Sequence, residues 1–222
     1  MLKSIASILL CGVMSLLSGC DDKPAPPPPV NPATRPDPQQ PAPPPTTQEL
    51  AAIPRLGVDL QPVPVRIQAP KTWTVESLGA SKFLQGQASS GLVRLRLSEL
   101  MPLTSVLDPV KLQYDSYSKQ REENPNVQEL RLSDLGDAKM IEYREVITHG
   151  DGPSVKWVFR IYAPIPQGFN LYEIQFFDLS LAQYERDRDF LHEMMASLRF
   201  EPSLVKLPKV EERPGPPTRP FP

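Results

Sequence analysis

The chain has 222 residues, a formal net charge of −2 and 29 prolines. The slightly negative net charge argues against a nucleic-acid-binding protein, because such proteins usually carry a basic surface. With two cysteines, the chain also lacks the disulfide framework that stabilises many small secreted domains.

Residues 1–19 have the pattern of a secretory signal peptide. Lys3 supplies the positive start, and Ile5 to Leu17 is an apolar, small-residue stretch that is too short to span a bilayer as a helix. The run Leu17-Ser18-Gly19-Cys20 resembles the lipobox of bacterial lipoproteins. The resemblance implies cleavage before Cys20, lipidation of its sulfur and attachment to a membrane through that lipid. The alternative is an ordinary cleaved signal in which Cys20 is incidental.

The number of cysteines favours the lipoprotein interpretation. Cys11 lies in the segment that cleavage would remove, so Cys20 would be left alone with no disulfide partner. The resemblance implies a location in the bacterial cell envelope. Asp21 follows the lipidated position, and in a cell with two membranes this residue favours the outer face of the inner membrane.

Composition divides the mature chain into three parts. Residues 20–47 are rich in proline and predict an extended, disordered stalk, and residues 203–222 predict a second proline-rich, disordered tail. Residues 48–202 have ordinary globular content and the size of a single domain. The stalk is interpreted as a spacer; a ligand for a proline-binding domain, or a segment that threads peptidoglycan, is the alternative.

The domain is predicted to begin with strands. Val63 to Ile67 alternates apolar and other residues, Trp73 and Val75 continue this alternation after a turn at Pro70, and Leu92 to Leu97 places Arg94 and Arg96 opposite its apolar side chains. An antiparallel meander is expected here. Its predicted turn positions are Gly79, Gly86 and Gly91.

A helix is predicted next. Asp108 is a suitable N-cap, Pro109 a suitable first residue, and the helix should run to about Arg121 before Asn124-Pro125. Val110, Tyr114 and Tyr117 recur at helical spacing. They are expected to face the core.

Four more strands and a second main helix follow. The helix is predicted from a cap at Ser180 to about Ala196, and Ser197 to Phe200 is expected either to add a short edge strand or to seal the core. Phe169 to Phe177 carries apolar residues on both faces, which predicts a central strand. The other predicted strands are Val127 to Leu135, Lys139 to Thr148 and Val155 to Ala163.

The side chains of the last helix divide into two predicted groups. The core-facing group is Leu181, Tyr184, Arg188, Leu191, Met195 and Leu198, and the outward group is Glu185, Arg186, Asp187 and Asp189.

These elements predict an α+β fold, a mostly antiparallel β-sheet flanked by two main helices. Ile67-Gln68-Ala69-Pro70-Lys71-Thr72-Trp73 and the closing segment from Phe190 to Phe200 resemble the Mog1/PsbP-like family over about Val63 to Pro202. The resemblance implies an α/β/α sandwich. Because members of that family are mostly small binding or assembly modules, it also implies such a role, and it transfers no functional residue.

The residues predict no catalytic, cofactor-binding or metal site. His192-Glu193-Met194-Met195-Ala196 lacks the second histidine of a zinc-protease motif, and His149 lies in a predicted glycine-rich hairpin turn. The favoured function is a non-enzymatic binding or assembly module, anchored through Cys20 and contacting an envelope protein. The alternative is a small envelope enzyme or ligand-binding protein, for which His149 or His192 should line a sizeable cleft beside a carboxylate.

Overall fold

The computed structural model describes residues 44–104, 108–150, 152–205 and 207. The predicted signal peptide, Cys20, nearly all of the stalk and most of the tail lie outside the described residues. The helices are α1 (Thr47–Ala52), α2 (Pro109–Glu123) and α3 (Leu181–Ala196). The strands are β1 (Arg55–Asp59), β2 (Val65–Pro70), β3 (Thr74–Leu78), β4 (Ser81–Ala88), β5 (Gly91–Glu99), β6 (Val127–Leu135), β7 (Ala138–His149), β8 (Gly152–Ile165), β9 (Gly168–Phe177) and β10 (Arg199–Phe200).

Seven strands form one sheet in the order β3-β4-β5-β9-β8-β7-β6, and each neighbouring pair is antiparallel. The central position of β9 confirms the prediction made from its two apolar faces. Tyr172, Ile174 and Phe176 are buried on one face, whereas Glu173 and Gln175 lie on the other. The α+β class is confirmed.

Helix α2 lies on one face of this sheet, against β6 and β7. Asp108 caps the helix by accepting from the backbone N–H groups of Val110 at 2.9 Å and Lys111 at 3.1 Å. Val110 and Tyr117 are buried there, and the rings of Tyr117 and Tyr143 stack at 4.5 Å between centroids. The core-facing prediction for this helix is confirmed.

Helix α3 and a second sheet cover the opposite face, where the larger part of the core lies. The second sheet has the order β1-β2-β10, so the closing segment does form a short edge strand. Ile67 of β2, Leu191 of α3 and Leu95 of β5 are buried in one apolar cluster. The three elements therefore share a single core.

The predicted faces of α3 were wrong at two positions. Asp187 is buried, because its carboxylate accepts from the backbone N–H groups of Ser89 at 3.2 Å and Ser90 at 3.1 Å and from both of their hydroxyl groups. A buried carboxylate with four donors is satisfied. Arg188 instead lies at the surface, with its side chain 56% exposed.

Gly86 was also predicted wrongly as a turn residue, since it lies within β4. An added Cβ there would lie 2.1 Å from Trp73 Cδ1, so the indole occupies the space that any other side chain would need. Gly79, by contrast, does occupy the turn between β3 and β4, with φ of +60°. Such a positive φ in a two-residue hairpin loop favours glycine. In the described part of the chain, no helix is long and apolar enough to cross a membrane.

Candidate functional site

The two histidines lie in different parts of the fold. His149 ends β7 and pairs with Gly152 at the tip of the β7–β8 hairpin. His192 lies on α3 and contacts Arg144, which precedes His149 by five residues along β7. At about 3.4 Å per residue, that separates the two β7 positions by about 17 Å along the strand. The structure does not bring the histidines together.

His192 is enclosed by side chains from three elements. Its Nε2 lies 3.1 Å from Arg144 Nη1 and 2.9 Å from the Tyr184 hydroxyl, and its ring centroid lies 4.6 Å from that of Trp157. Because a guanidinium can only donate, Nε2 is the acceptor in the contact with Arg144. We call this group, together with Glu129 and Glu142, the histidine cluster.

Two carboxylates complete the histidine cluster. Glu129 pairs with Arg144 at 3.0 Å, and their side chains are only 15% and 13% exposed. Glu129 also pairs with Arg131. Glu142 is 7% exposed and accepts from Trp157 Nε1 at 2.8 Å. The polar groups of the cluster therefore mostly bind one another.

The titration of the histidine cluster follows from its burial. Burial lowers the pKa of His192, and the neighbouring Arg144 lowers it further, so the imidazole favours its neutral form. Burial raises the pKa of Glu142, although the hydrogen bond from Trp157 opposes this. A neutral imidazole whose Nε2 already accepts from Arg144 is a poor general base towards an outside molecule.

Two surface cavities are lined by described residues, and neither contains a histidine. One, of about 300 Å³, includes Ile147, Ser154, Lys156, Gln175, Phe177 and Asp178 in its lining. The other, also about 300 Å³, lies between Pro62 and the ends of β4 and β5. Neither cavity has His192 in its lining, and the side chain of His149 lies outside the described part of the chain.

The second candidate region lies on the α2 side of the large sheet, beyond the part that α2 covers. We call it the open face. Cross-strand pairing places Arg94 opposite Phe177, Arg96 opposite Phe83 and Gln175, and Arg160 opposite Glu173. The side chains of the open face include Phe83, Arg94, Arg96, Lys156, Arg160, Glu173, Gln175 and Phe177, and cross-strand pairing places Glu76, Gln85 and Glu145 on the same face.

Arginines cover the aromatic groups of the open face. Phe83 is 5% exposed and meets Phe177 edge to face at 5.5 Å between centroids, while Arg94 Cζ lies 5.0 Å above the Phe177 ring. Arg94 also pairs with the exposed carboxylate of Asp178 at 3.0 Å. The methylene chains thus shield the rings while the charged ends remain near solvent.

Arg96 lies between these groups with an incomplete set of partners. Its Nη2 donates to Gln175 at 2.6 Å and lies 3.7 Å from Glu173, which pairs more closely with Arg160 at 3.1 Å. Its Nε is buried and has no hydrogen-bond acceptor among the described residues. Arg144 Nε in the histidine cluster is likewise buried without an acceptor among the described residues, so the feature particular to Arg96 is that it shares its carboxylate, Glu173, with Arg160.

The sequence identified the orientation of this site but missed the site itself. The alternation in β5 correctly placed Arg94 and Arg96 away from the core, and the alternation in β9 placed Glu173, Gln175 and Phe177 on one face. No local signal indicated that β5 and β9 are neighbours. Without that pairing, the arginines and their partners are distant positions in the chain.

No family model matches the chain, and no curated protein matches it. The chain is similar to a solved structure, the solution structure of cyanobacterial PsbP (CyanoP) from Synechocystis sp. PCC 6803, at 8% sequence identity and a TM-score of 0.42. The match covers 66% of this chain and 92% of that chain.

Proposed function

We propose that this chain is a bacterial envelope lipoprotein, anchored by lipid on Cys20, whose globular domain is a non-enzymatic binding or assembly module. The proposed binding role is supported by a contrast between the histidine cluster and the open face. In the histidine cluster Arg144 binds both Glu129 and His192, although its buried Nε has no acceptor among the described residues. The open face presents the charged ends of arginine and lysine side chains near solvent, above aromatic rings that Arg94 partly covers.

The composition of the chain supports a tethered mode of action. About 25 proline-rich residues separate Cys20 from the domain, and at ~3.1 Å per residue such a stalk reaches roughly 75 Å. A domain held at that distance meets envelope proteins while it stays attached to the membrane. In a cell with two membranes, Asp21 favours the outer face of the inner membrane.

Chemical crosslinking of the full lipidated chain in intact cells tests the binding role. We expect one envelope protein to be recovered at near-stoichiometric yield, and the same protein to be recovered with His192→Gln, because that substitution leaves the surface of the open face unchanged. Failure to recover a partner contradicts a binding module. A variant His192→Gln that keeps the partner but abolishes the cellular role favours the enzyme alternative.

A further inference from the structure

We propose that the open face binds carboxylates, with Arg96 at its centre, and that its ligand is an acidic, extended segment of a partner protein. The inference rests on the proposed binding function and names the surface and the partner chemistry.

The first observation is the surplus of cationic donors. A guanidinium carries five N–H donors, yet among the described residues Arg96 donates one hydrogen bond, to the neutral amide of Gln175, and shares Glu173 with Arg160. Lys156 forms no ion pair in the described part of the chain, and its Nζ lies 5.6 Å from the centroid of the Tyr143 ring. Glu145, opposite Lys156, instead accepts from Asn124 at 2.7 Å and from Tyr143 at 2.8 Å. Arg96 and Lys156 therefore lack a carboxylate of their own.

The second observation is the cavity next to these cations. It holds about 300 Å³ and is lined in part by Phe177 and Ile147, with Lys156 and Gln175 also in its lining. Arg94 lies over the same Phe177 ring. An apolar side chain of an extended ligand fits this cavity while carboxylates two residues away, on the same face of the ligand, reach the cations around it. A binding site of this kind has an apolar centre and charged groups that set the orientation.

The spacing of the cations favours a peptide over a small anion. Arg94 and Arg96 are alternate residues of one strand and lie on one face, so their Cα atoms are separated by about 7 Å along β5. Alternate side chains of any extended segment have the same spacing. A ligand with acidic residues at every second position therefore matches both arginines at once, whereas a single inorganic anion meets one. Guanidinium groups can bind carboxylates in a bidentate geometry, which adds orientation to charge.

The carboxylates that already pair with these arginines, Asp178 and Glu173, do not prevent an acidic ligand from binding the open face. Asp178, the partner of Arg94, is 66% exposed, and exposed ion pairs contribute little stability, about 0–1 kcal/mol. A carboxylate of the ligand can therefore replace Asp178 at small cost. Glu173 is 12% exposed and pairs with Arg160 at 3.1 Å and more loosely with Arg96 at 3.7 Å, so a carboxylate of the ligand would approach Arg96 from the side away from Glu173.

Fluorescence anisotropy with a defined probe tests the inference. The protein is the full chain with Cys20→Ala, which removes the anchor so that binding is measured in solution. The probe is a labelled eight-residue peptide with serine at every second position and, at the positions between, glutamates and a single leucine, so that the leucine shares a face with the glutamates. Its counterpart replaces each glutamate by glutamine. We expect the acidic peptide to bind at least about tenfold more tightly, and added salt to weaken it.

Variants identify the surface. Arg94→Gln combined with Arg96→Gln should weaken binding of the acidic peptide by about tenfold or more, because both guanidinium partners are removed. Lys156→Gln, a single change at an exposed position, should weaken it by a smaller factor without affecting folding. The matched control is Arg188→Gln, an exposed, ion-paired arginine on α3, which should leave affinity unchanged.

Three results overturn the inference: equal affinity for the two peptides, loss of affinity in the control as great as in the double variant, or stronger binding to phosphatidylglycerol vesicles than to the acidic peptide. The last result assigns the face to a membrane instead. Each of these is separate from the proposed function, since crosslinking can still recover an envelope partner that binds elsewhere on the domain.

Discussion

At the scale of single residues, the histidine cluster is organised by burial. Glu142 and His192 lie on the same side of the sheet, and burial shifts their pKa values in opposite directions, upward for the acid and downward for the base. Both shifts favour the uncharged form. The sequence identified His192 as a candidate, but the residues that determine its chemistry come from β7, β8 and an earlier turn of α3.

Replacing Glu142 with glutamine should stabilise the fold at neutral pH. Because the pKa of Glu142 is raised in the folded protein, the folded state binds its proton more tightly than the unfolded state. Stability is therefore lost as the pH rises from the unfolded pKa through the folded one. Glutamine keeps an acceptor for Trp157 Nε1 and carries no charge, so this loss disappears.

Urea unfolding of the parent and Glu142→Gln at pH 7 and pH 4 measures the effect. The free energy of unfolding of the variant should exceed that of the parent at pH 7, and the advantage should shrink at pH 4. Comparing the two proteins at each pH removes the contribution of His192, whose lowered pKa costs stability as the pH falls below its unfolded value. A variant that is less stable than the parent at pH 7 shows that ion pairing with Arg131 and Arg144 outweighs burial.

At the scale of elements, the hydrophobic period identified most strands and both long helices, and it failed where a side chain from another element decided the outcome. Gly86 is a residue type typical of turns, yet it lies within β4. Glycine is needed there because the indole of Trp73 occupies the space that a side chain would fill. Asp187 has the charge of a surface residue, yet it is buried by the turn between β4 and β5. Helix α1 and strands β1 and β4 were not predicted, since β1 is mostly exposed and β4 is interrupted by glutamines and glycine.

Gly86→Ala should destabilise the domain by about 2–3 kcal/mol, the cost of overpacking a filled core. The new Cβ would lie 2.1 Å from an indole carbon of Trp73, which is itself 4% exposed and cannot move into solvent freely. Thermal or urea unfolding measures the change.

The matched control is Gly57→Ala in β1, where the nearest atom is the flexible Arg66 side chain at 3.0 Å. Gly57→Ala should lower the free energy of unfolding clearly less than Gly86→Ala does. Combining Gly86→Ala with Trp73→Leu should cost less than the sum of the two single changes, because leucine makes room for the new methyl group and the methyl group fills part of the space that the indole leaves. Simple additivity of the two substitutions argues against direct contact between them as the cause.

At the scale of the whole molecule, the proposed function depends on two parts of the chain, the anchor with its stalk and the folded domain. The anchor and stalk are predicted from residues 1–47 by composition and by the lipobox pattern around Cys20. The binding surface is argued from the folded domain, where strands β5 and β9 bring Arg94 within 3.0 Å of Asp178, 84 residues away in sequence. The proposal requires both parts, since the tether determines where the domain works and the open face determines what it contacts.

Cys20→Ala should move the protein from the membrane fraction to the soluble fraction of the envelope, without changing the unfolding of the domain. The acyl chains on a lipoprotein cysteine provide stable anchoring, and the substitution removes their attachment point. Fractionation and immunoblotting measure the distribution. Retention of the cleaved variant in the membrane fraction would contradict the anchor and favour a membrane-binding surface on the domain.

The sequence by itself determined the local character of the elements, because alternation and helical spacing depend only on neighbours along the chain. Those patterns were enough to predict the long helices, most strands, the central position of β9 and the outward direction of Arg94 and Arg96. Tertiary structure decided which strands are neighbours, the separation of β2 and β10 into a second sheet, the burial of Asp187 and the closing of the histidine cluster. Each of these depends on contacts between residues far apart in sequence, and a local hydrophobic pattern carries no information about which distant segment supplies the other half of a contact.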